Sequence, residues 1–525
     1  MTESRGRLLS ITGAFALLAL VLHMVVSTNY ELHRDAYLYL AESDHLAWGY
    51  LSIPPLTPFF AHCWQILFGS SVLAIRMIPA VIGVLCIILI SKIVRELGGG
   101  TWSIILACLA YLVSPAFLRS NTLFQPVTFD IFFWTLGTWA MIRLLRSEDR
   151  RWWLVLGIIF GFGFLNKYSI VFPALSFVLA LSFTKQRFLF FSRWLFWGAL
   201  AALIIILPNL LWQYNHNWPV VHHMTQLENG QLTHVKLSDF LVMQLFMILP
   251  AIPLFFAGLF YGLFDKSTNK LRAMGWTYIV LLILLISLSG KPYYTLGIYP
   301  VFFAFGAVAI VRFTEDAFKW IRPALAGLMI LILLPILPMS LPVLSYPDMI
   351  RYDQAISKWG MKDVLRWEDG SIHPLPQDYA DMTGWHELAE VIDSTWHTIS
   401  PNEQKTTRIY AENYGQAGAI HYYNKKKQMP EPISFSDSFL FWAPDSIAGT
   451  TLIYVNNETA GIRKLYKEIT LAGKITNPYA REHGMQVYLC RKPFNSFTKF
   501  YADKVDSLKA EYQAFGVQQS NVNSQ

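Results

Sequence analysis

Charge is what this sequence has least of. Only 15% of its 525 residues are Asp, Glu, Lys or Arg, against about 25% in soluble globular proteins. A soluble core of that size would need a larger polar coat, so an ordinary cytosolic enzyme is excluded. Cysteine is nearly as scarce. Cys63, Cys86 and Cys108 stand in or beside apolar stretches and Cys490 stands alone. No disulfide framework and no metal-ligand spacing follows from four such residues. Residues 8–26 are apolar but carry no small-residue cleavage site, which predicts a retained first helix rather than a removed signal. The formal charge of +7 gives no nucleic-acid partner, because most of the cations stand in short loops between apolar runs.

What the chain has is hydrophobic length: 54% of it is apolar. A membrane crossing takes about 20 mainly apolar residues. Eleven segments qualify: 8–27, 72–91, 102–118, 127–142, 152–165, 168–183, 194–212, 240–263, 273–289, 296–312 and 323–344, with 152–165 the shortest. If the N-terminus is cytoplasmic, the inner loops hold Arg5, Arg7, Lys92, Arg95, Arg143, Arg146, Arg150, Arg151, Lys185, Arg187, Arg193, Lys266, Lys270, Arg272, Arg312, Lys319 and Arg322. The outer side of residues 1–345 keeps only Arg34, Arg76, Arg119, Lys167, Lys236 and Lys291. The positive-inside rule selects this orientation. An odd number of crossings then puts the C-terminus on the periplasmic, outer face of a cell inner membrane. Acidic residues mark a second boundary. Of 35, 21 lie in residues 346–525, so the expected architecture is a polytopic α-helical membrane domain over 1–345 followed by a soluble α/β domain over 346–525.

The outer cations are informative because their side is depleted of them. Lys236, in a polar loop, reads as solvated. The other five stand at segment ends, where charge is costly and usually partnered or functional. Together they suggest a pocket for an anionic headgroup. The long first outer loop opens with YELHRDAYLYL. Its DAYLYLAESDHLAW stretch can form an amphipathic helix lying on the membrane, and Pro54-Pro55 breaks the chain before a second interfacial helix. Further on, TGWHELAEVIDSTW has helical spacing with Trp385, Leu388 and Ile392 on one side. RIYAENY, TLIYVN and MQVYLC read as strands, and GQAGAIHYY as a helix. Residues 425–427 read as a solvated turn and the last ten residues as disordered.

Several of these stretches occur in one order in a known family. HRDAYLYLAESDHLAWGYLSIPPLTPF, AIRMIPAVIG, LFQPVTFDIFFW, GFGFLNKYSIVFP, LPNLLWQYNHNWP, GKPYYTLGIYP, GWHELAEVI and ENYGQAGAIHYY together resemble glycosyltransferase family 39. These are the dolichyl-phosphate-mannose protein mannosyltransferases of the C superfamily of polytopic membrane glycosyltransferases, to which the lipid A aminoarabinose transferases are related. The resemblance implies a transferase that moves a sugar from a polyprenyl-phosphate donor to an acceptor hydroxyl on a glycan, lipid or protein, with inversion. The chain departs from the family pattern at Ala36 after Asp35, at Ile53 before the Pro-Pro pair, and at Gln125-Pro126, which precedes Asp130. A second carboxylate and a divalent cation are left open, and no cofactor is certain.

The chemistry needs a base for the acceptor's proton and cations where charge builds on the departing phosphate. Asp35 is the expected base, with Asp130 as a second catalytic carboxylate weighed against a plain helix-end charge. Expected substrate contacts are Arg34, Tyr37, Arg76, Arg119, Gln125, Lys167, Tyr168, Asn209, Trp212, Gln213, Lys291, Tyr293 and Tyr294. Lys167 interrupts an apolar run, and Trp212 could stack on a sugar. His222-His223 has half the makings of a metal site, but solvation is the simpler reading. Two other functions compete: a transporter or flippase for a lipid-linked anionic glycan, and a membrane-anchored binding protein. If the first-loop charges are only solvated, Glu31, Asp35, Glu42 and Asp44 should behave alike.

Overall fold

The computed structural model describes residues 5–229, 237–358, 362–427, 429–447 and 451–513. Lys236 and the last ten residues lie outside them. The chain forms two compact units, each discontinuous in sequence. The first comprises Met1–Thr28, Leu73–Asn209 and Thr225–Val343; the second comprises Asn29–Val72, Leu210–Met224 and Leu344–Gln525. The first loop and a short stretch after residue 209 therefore group with the C-terminal residues, rather than with the apolar chain around them.

The first unit is helical and apolar. Six helices are long and apolar enough to cross a membrane among the described residues: Arg5–Val26, Val72–Glu96, Arg193–Asn215, Lys266–Ser287, Pro292–Phe313 and Ile321–Ser340. A seventh crossing is available if Leu237–Phe246 and Leu249–Phe264, bent by 76° at their junction, count as one. The chain is a multi-pass membrane protein. The remaining apolar segments are helical but differ from ideal spans. Segment 102–118 splits into Thr101–Val113 and Pro115–Ser120, because Pro115 cannot continue the first helix. Trp152–Asn166 has 15 residues. Pro126–Ser147 has 22 but carries Asp130, Arg143 and Arg146. Segment 168–183 opens with a 3₁₀ turn before Val171–Ser182.

Leu203, Ile204 and Leu207 on one of these helices, and Leu328, Leu331 and Leu334 on another, are exposed, as side chains facing lipid would be. Inside, contacts rely on glycine. A Cβ at Gly306 would lie 1.8 Å from the Leu254 carbonyl oxygen, and one at Gly258 2.1 Å from that of Phe302. The helices Ile252–Phe264 and Tyr299–Phe313 thus meet backbone to backbone, the small-residue packing that replaces the hydrophobic effect in lipid. Some polar groups inside the unit meet across helices. Thr12 Oγ1 lies 2.6 Å from Ser91 Oγ, and His23 Nδ1 lies 3.1 Å from Thr122 Oγ1.

The second unit holds a four-stranded sheet: β1 Arg408–Ala411, β2 Leu452–Val455, β3 Tyr466–Lys474 and β4 Gln486–Pro493, in the order β1-β2-β4-β3. β1 and β2 are parallel and the other pairs antiparallel. The expected strand RIYAENY stops at Ala411, because Asn413 caps the next helix, its side chain accepting the Gln416 N–H at 3.0 Å. β3 was not expected. It is mostly exposed and carries Lys467, Glu468 and Lys474, the charged dress of a protected edge strand. The helix Trp385–His397 buries Trp385, Leu388 and Ile392 as expected.

The first-loop helix departs from expectation. Arg34–Asp44 buries Ala36, Tyr37, Leu38, Leu40 and Ala41 and packs on the helix Tyr414–Asn424. Gly418 approaches so closely that a Cβ there would meet the Tyr37 backbone at 2.8 Å. Its apolar face is covered by protein and not by lipid. Leu56–Phe68, after Pro54-Pro55, does expose Phe59, Ile66, Leu67 and Phe68.

Asp353, on the helix Tyr346–Ser357, is buried, and neither carboxylate oxygen has a hydrogen-bond partner among the described residues. Burial raises its carboxyl to about 7. An unfolded Asp titrates at about 3.9, so between these values the folded state holds the extra proton. The group costs nothing below both values, and its cost grows as pH rises to 7 and is full above it. Asp353→Asn should therefore raise Tm by several degrees at pH 8 and hardly at all at pH 4.5, measured in detergent. A pH-independent difference would contradict this account.

Candidate active site

In the second unit, the first-loop charges are held one by one. Glu31 caps the helix Trp385–His397: its carboxylate accepts the N–H groups of Gly384, Trp385 and His386 at 3.2, 2.9 and 3.0 Å. Burial raises the Glu31 pKa, and those three bonds oppose the rise. Glu42 is fully buried, and burial, then the charge of Asp437, pushes its pKa well up. Its Oε1 lies 2.8 Å from Ser438 Oγ, which is also 3.0 Å from Asp437 Oδ1. Asp44 lies 2.8 Å from His421 Nε2 and 2.6 Å from Lys425 Nζ. Burial alone would raise its pKa, but these two partners outweigh it and hold the carboxyl below the usual value. Lys425 and Lys427, the latter 3.0 Å from Asp393, are ion-paired and not merely solvated.

Asp35 is different. In the first turn of Arg34–Asp44, its side chain is 25% exposed, and Tyr414 donates its hydroxyl to Oδ1 at 2.9 Å. Burial, then the Asp35 charge, raises the Tyr414 pKa well above its ordinary value, so the phenol stays a donor. The Arg34 guanidinium lies 4.5 Å over the Tyr414 ring. Tyr37, expected to touch substrate, is a core residue: it is fully buried, its hydroxyl is 3.1 Å from that of Tyr423, and its ring packs on Trp385. Trp212 also packs inside this unit, stacked on His216 at 4.0 Å and pressed against Gly49. Gln213 is buried and accepts the Val220 N–H at 3.3 Å. His222 hydrogen-bonds the Asn217 carbonyl and lies 3.5 Å from Glu511.

In the first unit, Gln125 stands at the N-cap of Pro126–Ser147, which places Asp130 in the second turn. Asp130 is buried and accepts the Trp134 indole N–H at 3.0 Å and the Ser169 hydroxyl at 2.9 Å. Its charge and that of Lys291 both act on Lys167. Lys167 ends the helix Trp152–Asn166 in an extended conformation. Its Nζ lies 4.9 and 5.1 Å from the ring centres of Tyr293 and Tyr294. Asp130, Lys167, Lys291, Tyr293 and Tyr294 therefore gather, and Tyr168 donates to Asn209 at 3.2 Å nearby in sequence. The other two outer cations cap helix ends. Arg76 is buried and donates to the Ser27 carbonyl at 2.8 Å, just past Arg5–Val26. Arg119 donates to the Met339 carbonyl at 3.0 Å, at the end of Ile321–Ser340. These carbonyls lack helical partners and carry the negative end of the dipole.

Comparison with known proteins adds a family. Residues 52–212 match the model of the dolichyl-phosphate-mannose-protein mannosyltransferases. The chain is similar to that glycosyltransferase family. Two relatives from Rhizobium johnstonii agree in kind: the lipid A galacturonosyltransferase RgtD, 25% identical over 299 residues, and the lipopolysaccharide core galacturonosyltransferase RgtB, 26% identical over 302. The alignments cover 54% and 55% of this chain, and it spans only 61% and 60% of those relatives. The fold matches that of ArnT from Cupriavidus metallidurans, in a crystal structure bound to undecaprenyl phosphate, with a TM-score of 0.63 at 16% identity, covering 91% of this chain and 97% of that one. The apo form of ArnT matches equally, at TM-score 0.62 and 15% identity over 91% and 97% of the two chains.

Sequence reasoning gave no role to Tyr414 or Asp381 and did not pair Glu42 with Asp437. Tyr414 lies in ENYGQAGAIHYY, and its signal was an aromatic residue directly after a helix cap. Glu31 supplies a direct check. Glu31→Ala removes three charge-assisted bonds at one helix start and should lower stability by about 2 kcal/mol or more, whereas a solvated loop residue would change it by under about 0.5 kcal/mol. Thermal melts in detergent distinguish the two.

Proposed function

We propose that this chain is a membrane glycosyltransferase that moves a sugar from a polyprenyl-phosphate donor to an acceptor hydroxyl, with inversion, on the periplasmic face of the inner membrane. Asp35 is its general base. The observation that carries this reading is that Asp35, at the start of its helix, combines partial exposure with a neutral phenol donor, Tyr414, in a chain that matches sugar transferases over residues 52–212. Asp35 takes the proton of the acceptor hydroxyl as its oxygen attacks the anomeric carbon. The bond from that carbon to the phosphate oxygen breaks, and its electron pair stays on the phosphate. Lys167 and Lys291 oppose the charge that develops there, and Asp130 orients Lys167. The named activities of RgtD and RgtB favour a lipid A or core glycolipid acceptor. The ligand of the ArnT structure favours an undecaprenyl-type carrier.

The same reading keeps eleven crossings, counting the shorter helices, with residues 346–525 as an outer α/β domain that helps hold the acceptor. Tags in that region accessible only from the cytoplasm would refute this topology. A second reading has one supporting feature, the helix pair bent by 76°, since broken helices also build transporter sites. Redistribution of lipid between leaflets without any glycosylated product would select it.

The reaction is tested with a labelled polyprenyl-phosphate sugar and purified protein. Asp35→Asn keeps size and hydrogen bonding but cannot take the proton. General-base catalysis contributes about 10²–10⁴-fold, so turnover should fall by that order while donor binding persists. Near-normal transfer by this variant would move the base elsewhere. Lys167→Ala should reduce donor use more than tenfold, since a charge-assisted contact to phosphate contributes about 1.5–3 kcal/mol. Lys319→Ala, at an exposed lysine, should have little effect, and equal losses from the two would remove the phosphate assignment.

A further inference from the structure

His33 has no part in the reaction above, yet it is held with care. Its ring is 5% exposed, and Nδ1 accepts the Asp35 backbone N–H at 3.2 Å. On the other side of the ring, Nε2 lies 3.8 Å from Asp378 Oδ1 and 3.7 Å from Asp381 Oδ2. Both separations exceed a hydrogen bond. A nine-tenths buried nitrogen thus stands between two carboxylates. One ligand atom from each of the three residues lies within 4.8 Å of the others.

We propose that His33, Asp378 and Asp381 form a binding site for a divalent transition ion, Zn²⁺ or Mn²⁺. Nitrogen and oxygen ligands stand about 2.0–2.2 Å from such an ion. Two of them at 3.7 or 3.8 Å would subtend about 125–130° at an ion placed between them, and a contraction of about 0.3 Å would bring that to the tetrahedral angle. Asp378, 40% exposed, has the freedom to supply it. One imidazole and two carboxylates suit these ions better than Ca²⁺, which takes oxygen ligands alone. Three protein ligands leave a position for water or a substrate oxygen.

Two arginines, Arg481 and Arg34, act on Asp381 and compete with an ion. Arg481 Nη1 lies 3.2 Å from both oxygens of Asp381. Its side chain is 26% exposed and can turn toward solvent as the ion enters. Binding has a consequence for Asp35. A neutral imidazole that ligates through Nε2 carries its proton on Nδ1, so Nδ1 changes from acceptor to donor. Asp35 Oδ2, 3.6 Å away, is then in reach, and the ion would orient that carboxylate through the ring. This consequence rests on the reading of Asp35 as base; ion binding does not.

The test uses full-length protein in detergent, stripped with chelator and dialysed separately against Zn²⁺ and Mn²⁺, with bound metal counted by mass spectrometry. The wild-type chain should take one ion at micromolar concentration. Asp378→Asn, with an unchanged Tm in chelator, should weaken binding at least tenfold. In His33→Gln, the nitrogen coupling in the Mn²⁺ electron spin resonance spectrum should vanish. No ion on the wild-type chain, or equal affinity in Asp378→Asn, overturns the site. Because the readout is bound metal and not product, its failure is distinguishable from failure of the transferase reading.

Discussion

A carboxylate that leaves water must find donors or cations, or give up its charge. That constraint organises the second unit. Glu31, Asp35 and Asp44 lie within one short stretch of the first loop, and each is met by groups more than 350 positions later: the start of Trp385–His397, Tyr414, and the pair His421 and Lys425. Three polar contacts of this kind fix the helix Arg34–Asp44 in position along its length. Its apolar side supplies the burial, with Leu38 and Ala41 in one core with Leu388, Ile392 and Ala417. The apolar contacts give this arrangement its stability, while the polar ones fix its register.

The first unit meets the same constraint with fewer polar groups. Its helices approach through glycine, at Gly258 and Gly306 and again at Gly157 and Gly198, so that backbone contact substitutes for side-chain interlocking. Against that background a group such as Asp130 is conspicuous. It is buried with two neutral donors, Trp134 and Ser169, and with the charge of Lys167 acting on it. Two tyrosine rings stand over the Lys167 ammonium. A cation so placed is stabilised by ring faces and by one carboxylate, without being locked into a close ion pair.

Much of the fold was legible because periodicity acts within a segment. The apolar runs became helices, and Trp385, Leu388 and Ile392 became one buried face. Three of the four strands were visible from their β-branched and aromatic residues, whereas β3 was hidden by the lysines and glutamate that protect an edge. Pairings between distant segments left no such signal. Nothing local tells that DAYLYLAESD buries its apolar side against Tyr414–Asn424 and not against lipid, since either partner suits the same pattern. The outer cations show the same limit. Their scarcity singled out five positions, but a residue that caps a helix end, such as Arg76 or Arg119, has the same sequence signature as one that meets a ligand.

The four first-loop carboxylates can be separated by what each is already doing. Glu31 is committed to three backbone donors, and weakening those would unfasten a helix. Glu42 is fully buried beside a second carboxylate, where holding a proton is cheaper than holding a charge. Asp44 faces the Lys425 ammonium and hydrogen-bonds the His421 ring, and these partners make it a poor acceptor of a further proton. Asp35 has a phenol as one donor, a neutral partner that positions one of its oxygens. It also begins a helix, where the backbone dipole favours a carboxylate. The base proposed above therefore falls on Asp35, the carboxylate that a neutral hydroxyl holds in place.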